Sequence, residues 1–457
     1  MKRIAFCFDG TWNALNANTP TNVVLMAASI VRDTKNGITQ IIHYDEGVGT
    51  GRLEKLSGGM LGAGLIENVR EAYRFLIFNY DPGDEIFVFG FSRGAFSAQT
   101  FVGFVRHVGP LRRLHAARID EALELYRERL TDADGASERM RKFRAEYSSN
   151  VCVGADDDAW RCKNMKDYQT GSAPPLTIKY LGIWDTVGAL GVPAIVPMSG
   201  LMNRKHAFHD ASLSDFIESA RHAVAIDERR ALFPPVLWGD LAAINATKNA
   251  KPDDIDAPYQ EKWFPGTHGS VGGGGDIRGL SDGALAWVLK GAKRAGLALD
   301  TAAGSRIQGF EPNPLAPLIN MSKPEKSFTS IVTTDRDGPE HLWQLSAAAL
   351  RRWKAPSEDL PDQKPYRPKT LSKIADALAS YVIDLGHTDS AEILAEHVVV
   401  SGDQLRKLAK HYYDDAGKWK IIFDANRDTI DDADELFVGW KLRIPALPAP
   451  AAPVSVE

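Results

Sequence analysis

Apolar and polar positions divide the chain into three stretches of different character. The first run, Ile4 to Phe8, is apolar throughout and stops at Asp9-Gly10. Unbroken apolar runs of this length predict strands buried on both faces, as in a parallel sheet. Largely apolar runs recur at 85–91 and 176–184, residues 38–45 read as a further strand ending in a loop, and a shorter run at 262–264 leads into a glycine-rich loop. Between them, 21–31 and 64–80 carry apolar residues at helical spacing, and Asp81-Pro82-Gly83-Asp84 is a turn signal. From Arg93 onward Phe96, Thr100, Phe101 and Phe104 fall on one helical face, and 280–296 predicts a closing helix. Residues 221–238 also read as helical until their prolines. Alternating strands and helices predict an α/β fold with a mostly parallel sheet.

Three segments interrupt the alternation. Residues 111–172 are charged and helical, an expected insertion over one end of the sheet. A broader lid or loop region is expected at about 191–262; its apolar, Pro- and Gly-broken part, 192–202, reads as a loop packed on the core or as a lipid-facing lid. After about residue 350 the chain turns polar and Pro-rich, which predicts a linker with a short helix over 351–396. A compact unit follows at 397–446, and the Ala/Pro tail 447–457 is expected to be disordered. The first domain is thus expected to span 1–350.

Charge and cysteine content narrow the classes. A net charge of −5 without a Lys/Arg block argues against a nucleic-acid partner. Three cysteines make no disulfide framework; Cys152 and Cys162 flank an acidic loop and are expected to be reduced thiols. No run of about 18 apolar residues predicts a membrane span. The N-terminal run ends in Asp9-Gly10-Thr11 rather than a small-residue cleavage site, so it reads as a strand and not a signal peptide.

The chemistry centres on Gly90-Phe91-Ser92-Arg93-Gly94, set between a buried strand and a helix. A nucleophile elbow holds a serine on a tight strand-to-helix turn, and side chains at the two glycine positions would strike neighbouring backbone. Ser92 is therefore the expected nucleophile, with Gly90 and Gly94 as elbow glycines. An orienting acid and then a base should follow in chain order. Asp185, at a strand end, and His268, in the glycine-rich loop, fill that order. His222 with Asp227 is a rival pair in a segment read as helical. His206, His209 and Asp210 have a metal-like spacing without a further ligand cluster to support it, so no metal site is assigned. The oxyanion donors are expected to be the N–H groups of Arg93 and of the Gly10–Thr11 loop. Asp9 lacks the second aspartate that a haloacid-dehalogenase-like phosphatase places two residues away, because position 7 is Cys. It reads instead as a structural or site-orienting carboxylate. Neither a cofactor nor a catalytic metal is required.

Five ordered stretches carry a resemblance: "FDGTWN", "AYRFLIFNYDPGDEIFVFGFSRGAFSA", "GIWDTVGALG", "RHAVAIDERR" and "WFPGTHGSVGGG". Residues 1 to about 350 resemble the α/β-hydrolase family that includes type VI secretion phospholipase effectors. The resemblance implies an α/β-hydrolase-type sheet with helical lid insertions, a triad of Ser92, Asp185 and His268, and phospholipase A-type cleavage of fatty-acyl esters. An acidic residue is expected two positions after the histidine, where this chain has Ser270. The unit at 397–446 resembles a LysM module, a small βααβ domain. Ser401 or Asp403 is expected to cap a helix with a stripe of Leu405, Leu408, Ala409 and Tyr412, faced by Trp419, Ile422 and Phe423. The resemblance implies binding of N-acetylglucosamine polymers through Gly402, Asp403, Gln404, Leu405 and Asn426, with Gln404 where Thr is common. The expected partners are an acyl-ester or phospholipid substrate and either peptidoglycan or a secretion or tail apparatus. The expected route is synthesis in the cytoplasm and export by a type VI or other contractile system. The competing readings are a non-lipolytic cell-wall or tail-associated binding protein, and a soluble esterase acting on a small or polysaccharide-linked ester.

Overall fold

A computed structural model describes residues 1–10, 19–47, 58–130, 135–188, 213–254, 256–301, 307, 310–323, 332–380, 393–400, 402–426, 430, 433, 436 and 440–447. Thr11, the segment 192–202, the triplet His206, His209 and Asp210, Ser401 and the tail after 447 lie outside the described residues.

The described elements run β1 (Arg3–Phe8), α1 (Asn22–Ser29), β2 (Gln40–Asp45), α2 (Gly58–Asn79), β3 (Glu85–Phe91) and α3 (Arg93–Val108). Next come α4 (Ile119–Leu130), α5 (Ala136–Tyr147), α6 (Ala155–Asn164), β4 (Ile178–Trp184), β5 (Ala220–Ala225), α7 (Leu241–Ala246) and β6 (Tyr259–Phe264). Then follow α8 (His268–Gly272), α9 (Gly279–Arg294), α10 (Ala347–Lys354) and α11 (Ala375–Ser380). The C-terminal unit contains β7 (Ile393–Val398), α12 (Leu405–Tyr413), α13 (Trp419–Ala425) and β8 (Lys441–Pro445).

Strands β1 to β6 form one sheet in the order β2-β1-β3-β4-β5-β6, and all five pairings are parallel. The first strand shows why its sequence has no polar alternation. Ile4, Phe6 and Phe8 pack with α2, α3 and the helical insertion, while Ala5 and Cys7 pack with α1 and α9 on the other face. Parallel strands point all their carboxyl ends to one edge. Chain order reverses there between β1 and β3, where an open α/β sheet leaves a crevice.

Three segments differ from the sequence expectation. The region expected as lid or loop at about 191–262 contains β5 and the start of β6, both strands of the central sheet. Residues 221–225, the start of the stretch read as helical, belong to the strand β5, which is buried at every position. Ala220, Ala223 and Val224 suit either periodicity in a run this short, and pairing with β4 and β6 decides it. The expected linker is structured over residues 351–380. Trp353, Leu360, Tyr366, Leu371, Ile374 and Leu378 form a third core with Val224, Ile226 and Trp263 at the β5–β6 end of the sheet. Pro356 and Pro368 stand just before short helical turns, and the apolar residues between them are still buried.

In the C-terminal unit β7 and β8 pair antiparallel, and Leu405, Leu408, Ala409, Ile422, Phe423, Leu442 and Ile444 are buried. Tyr413 takes the core place expected for Tyr412. Gln404, not Asp403, stands at the start of α12; the Asp403 carboxylate accepts from the Val400 N–H at 2.8 Å and faces His397 Nε2 at 2.7 Å. Asn426 is fully buried. Its amide donates to Ile422 and Arg443 carbonyls at 2.7 Å each and accepts from the Arg443 N–H at 2.8 Å, tying α13 to β8. Asn426 is therefore an internal brace, contrary to its expected place in a glycan groove. Replacing it with Ala strands these backbone groups in the interior, and Asn426→Ala is expected to cost about 2 kcal/mol, read as a lower urea midpoint for the C-terminal unit.

Candidate active site

Ser92 follows β3 directly and starts α3. Its φ of 59° and ψ of −126° lie where non-glycine residues are strained, as a nucleophile elbow requires. The turn is held by the Ser92 N–H, which donates to the Trp184 carbonyl at 3.0 Å. Backbone crowding makes the two glycines obligatory. A Cβ on Gly94 would lie 2.3 Å from the carbonyl oxygens of Phe8 and Asp9, and one on Gly90 would lie 2.7 Å from the Gly94 carbonyl and Ala95 Cα. Gly94→Ala must therefore push α3 away from β1. It is expected to lower stability by about 3 kcal/mol and to reduce activity beyond that, as measured by thermal melts and ester turnover.

Asp185 follows β4 with φ at 35°, a second strained non-glycine position. His268 opens α8, the short helix separated from the end of β6 by three residues. The parallel sheet thus delivers the three side chains to one edge from β3, β4 and β6. His268 Nδ1 lies 2.5 Å from Asp185 Oδ2, and Nε2 lies 2.8 Å from Ser92 Oγ. A carboxylate can only accept, so Nδ1–H donates to Asp185, which leaves Nε2 to accept from the Ser92 hydroxyl. Ser92 is 6 % exposed and His268 7 %, so both reach the surface only narrowly. Phe91 and Phe233 rings flank the imidazole, with centroids 4.7 and 5.1 Å away.

Asp185 has no exposure to solvent. Burial alone would raise its carboxyl, but the adjacent Arg336 guanidinium and His268 outweigh burial and hold it well below the usual carboxylate range. Oδ1 accepts from the Ala225 N–H at 2.8 Å and from Arg336 Nη1 at 2.6 Å, and Oδ2 accepts from Arg336 Nη2 at 3.0 Å. The His268 N–H donates to Glu228 Oε2 at 3.1 Å, and Glu228 forks onto Arg230 at 2.8 Å. Sequence reasoning missed both Arg336 and the role of Glu228. "RHAVAIDERR" contained Glu228, but no local signal marks an arginine 151 residues from its carboxylate.

The rival pair separates. His222 sits inside β5, with Nδ1 against Glu261 Oε2 at 2.9 Å and Nε2 accepting from the Thr186 N–H at 3.2 Å. Asp227 instead accepts from the Gly266 N–H and the Tyr366 hydroxyl, at 2.7 and 2.8 Å. Ser270, where an acid was expected, donates to the Leu318 carbonyl at 2.6 Å. Among the described residues no group of His, Cys, Asp and Glu is arranged to hold a metal ion.

The groups expected to donate to an oxyanion differ in part from expectation. Arg93 is the first residue of α3, where the helix itself supplies no partner for an N–H. Its half-buried guanidinium is pulled by burial to about 10, which leaves it cationic at neutral pH. The Gly10 N–H, expected as a donor, is instead taken by Asp9 Oδ1 at 2.6 Å. Asp9 is buried, and its other oxygen accepts from Thr21 at 2.6 Å and Tyr44 at 2.7 Å. A fully buried carboxylate takes the nearest N–H, and that spends Gly10 on holding the loop.

Comparison with known proteins extends these observations. Residues 2–291 match the catalytic domain of Tle1-like phospholipase effectors of the type VI secretion system, and residues 397–445 match the LysM domain. An uncharacterized protein of Saccharomyces cerevisiae is 26% identical over 258 residues, covering 53% of this chain and 33% of that protein. A crystal structure of an uncharacterized Pseudomonas aeruginosa protein aligns at 17% identity with a TM-score of 0.36, covering 65% of this chain and 46% of the other. The structure of the Tle1 effector bound to the VgrG spike from the type 6 secretion system aligns at 18% identity with a TM-score of 0.31, covering 60% of this chain and 51% of that one. The chain thus spans a third of the length of the yeast relative and about half that of the two solved chains.

Proposed function

The chain belongs to the Tle1-like phospholipase effector family of type VI secretion, and from that premise we propose that it is a serine hydrolase of phospholipid acyl esters. The observation that carries this reading is the connected line Ser92 Oγ, His268 Nε2, His268 Nδ1, Asp185 Oδ2, with links of 2.8 and 2.5 Å. In the proposed step Ser92 Oγ attacks the acyl carbonyl as its proton passes to His268 Nε2. Asp185 keeps the imidazole in the tautomer that can accept that proton and stabilises the resulting cation. The Arg93 N–H, helped by the α3 dipole, stabilises the oxyanion. His268 then protonates the leaving alcohol, and water releases the fatty acid by the reverse sequence. Phe91 and Phe233 limit water at the histidine and give the acyl chain an apolar surround.

Phospholipid as substrate and export by the type VI route are read from the family membership, and cleavage of the phospholipase A type is part of the proposal. The C-terminal unit is read as a peptidoglycan-binding module, with exposed Gly402 and Gln404 as its candidate contacts. The domain division proposed is a hydrolase that includes the packed residues up to 380, followed by this module. No described helix is long and apolar enough to cross a membrane.

Mass spectrometry of products from mixed phosphatidylethanolamine–phosphatidylglycerol vesicles tests the substrate. Free fatty acid with lysophospholipid is the expected pair. Diacylglycerol or phosphatidic acid would refute acyl-ester specificity, and turnover of p-nitrophenyl butyrate alone would favour the soluble-esterase reading. Co-sedimentation of full-length protein with purified sacculi tests the module independently of catalysis.

A further inference from the structure

The acid of the triad has a partner that acyl transfer does not itself require. Asp185 already serves the Ala225 N–H and the His268 ring, and Arg336 then covers both of its oxygens. The same guanidinium donates to the carbonyls of Ala225 and Phe233, each at 2.8 Å. Its side chain is 3 % exposed. A planar fork placed this way fixes direction as well as charge, which a lysine could not do.

The segment carrying Arg336 is itself fastened to the site. Thr334 N–H donates to the Arg229 carbonyl at 2.8 Å, Ala231 N–H to the Val332 carbonyl at 3.0 Å, and Asp335 pairs with Arg229 at 2.9 Å. These bonds tie residues 332–336 to the chain after β5, whose Glu228 holds the His268 N–H and whose Phe233 touches its ring. Arg336 lies beyond residue 291, where the family match ends.

Building on the triad reading, we propose that Arg336 is a positioning residue that locks the Asp185 carboxylate onto His268 Nδ1, making residues 332–336 part of the active site. Two features give the lock its purpose. Asp185 sits on strained backbone past the end of β4, so regular strand geometry does not aim its side chain. A carboxylate with no access to water also needs a fixed counter-charge to act as an acceptor throughout the cycle. The guanidinium screens part of the field that would stabilise the imidazolium, so its benefit lies in geometry, where a displacement of about 1 Å can cost roughly 100-fold in rate.

Steady-state hydrolysis of p-nitrophenyl butyrate by the full chain tests this. Arg336→Met is expected to lower kcat roughly 10- to 100-fold while KM stays within about twofold. Arg336→Lys, which keeps charge without the fork, should recover only part of the loss. In an Asp185→Asn background, Arg336→Met should lower kcat by less than about twofold, because the residue it positions is already gone. Wild-type kcat in Arg336→Met, or fully additive losses in the double variant, would overturn the proposal. Should circular dichroism show Arg336→Met unfolded, Arg336→Lys decides, and an unchanged kcat there overturns it equally. Fluorophosphonate labelling of the wild type separates the two levels. Absent labelling at Ser92 refutes the triad itself, whereas labelled wild type with an indifferent Arg336 refutes only the lock.

Discussion

Ser92→Ala is expected to lower kcat/KM on acyl esters by at least about 10⁴-fold and to abolish fluorophosphonate labelling, with the fold intact. The size follows from the division of labour at the elbow. No other described hydroxyl lies on His268 Nε2, so deleting Oγ removes the atom that would form the acyl-enzyme bond. The fold should survive because the strain at φ 59° belongs to the backbone and is the same for alanine. The bonds that hold the turn, such as Ser92 N–H to the Trp184 carbonyl, are also main-chain. Removal of the hydroxyl leaves His268 anchored through Asp185 and through its own N–H on Glu228. A thermal melt within a few degrees of wild type, with activity at background, is the expected pair of results. Retained labelling of Ser92→Ala would move the nucleophile elsewhere.

Asp185→Asn is expected to cost almost as much in rate and far more in stability. An asparagine can turn its NH₂ toward His268 Nδ1, which reverses the tautomer and points an N–H at Ser92 where an acceptor is needed. Loss of kcat by about 10⁴-fold follows. The buried Arg336 would at the same time lose its counter-ion, and breaking such a pair costs roughly 3–5 kcal/mol. The pH dependence is a second readout. Folded Asp185 is held below the usual carboxylate range, so it binds its proton more weakly than in the unfolded chain. Its contribution is therefore present above about pH 4 and is lost as pH falls below that. The variant lacks this component, so its urea midpoint should change less than that of the wild type between about pH 5 and pH 3.

The sheet was readable from the chain because parallel strands are covered on both faces and so carry uninterrupted apolar runs. β1, β3 and β4 carry such largely apolar runs, the edge strand β2 reads as a strand in spite of its polar Gln40 and His43, and β6 was visible through the short run before its glycine loop. The strand β5 was not, since Ala220 to Ala225 is short and small enough to fit a helix. Ser92 was legible because an elbow imposes local demands, two glycines and a strand-to-helix change, that are written within five residues. Asp185 and His268 were legible through their order and their places at strand ends. Gly10 was misread as a donor because only the folded loop shows the Asp9 carboxylate turning back onto it. Asn426 was misread as a surface contact for the same kind of reason, since its partner Arg443 is 17 residues away.

The linker was misjudged because composition reports polarity and proline but not what the intervening apolar residues touch. Trp353, Tyr366 and Leu371 find Val224, Ile226 and Trp263 only once β5 and β6 lie side by side. Arg336 follows the same logic from the other direction, as a charge whose carboxylate is 151 residues earlier in the chain. The sequence by itself determined the parallel α/β architecture, the elbow and the chain order of its partners, because these depend on periodicity and on steric demands within a few residues. Tertiary structure alone decided which backbone N–H groups are already spent, which polar residues brace the interior, and that a cation holds the acid. Those outcomes depend on burial, which turns an ordinary polar group into one that must find a partner wherever the fold brings one close.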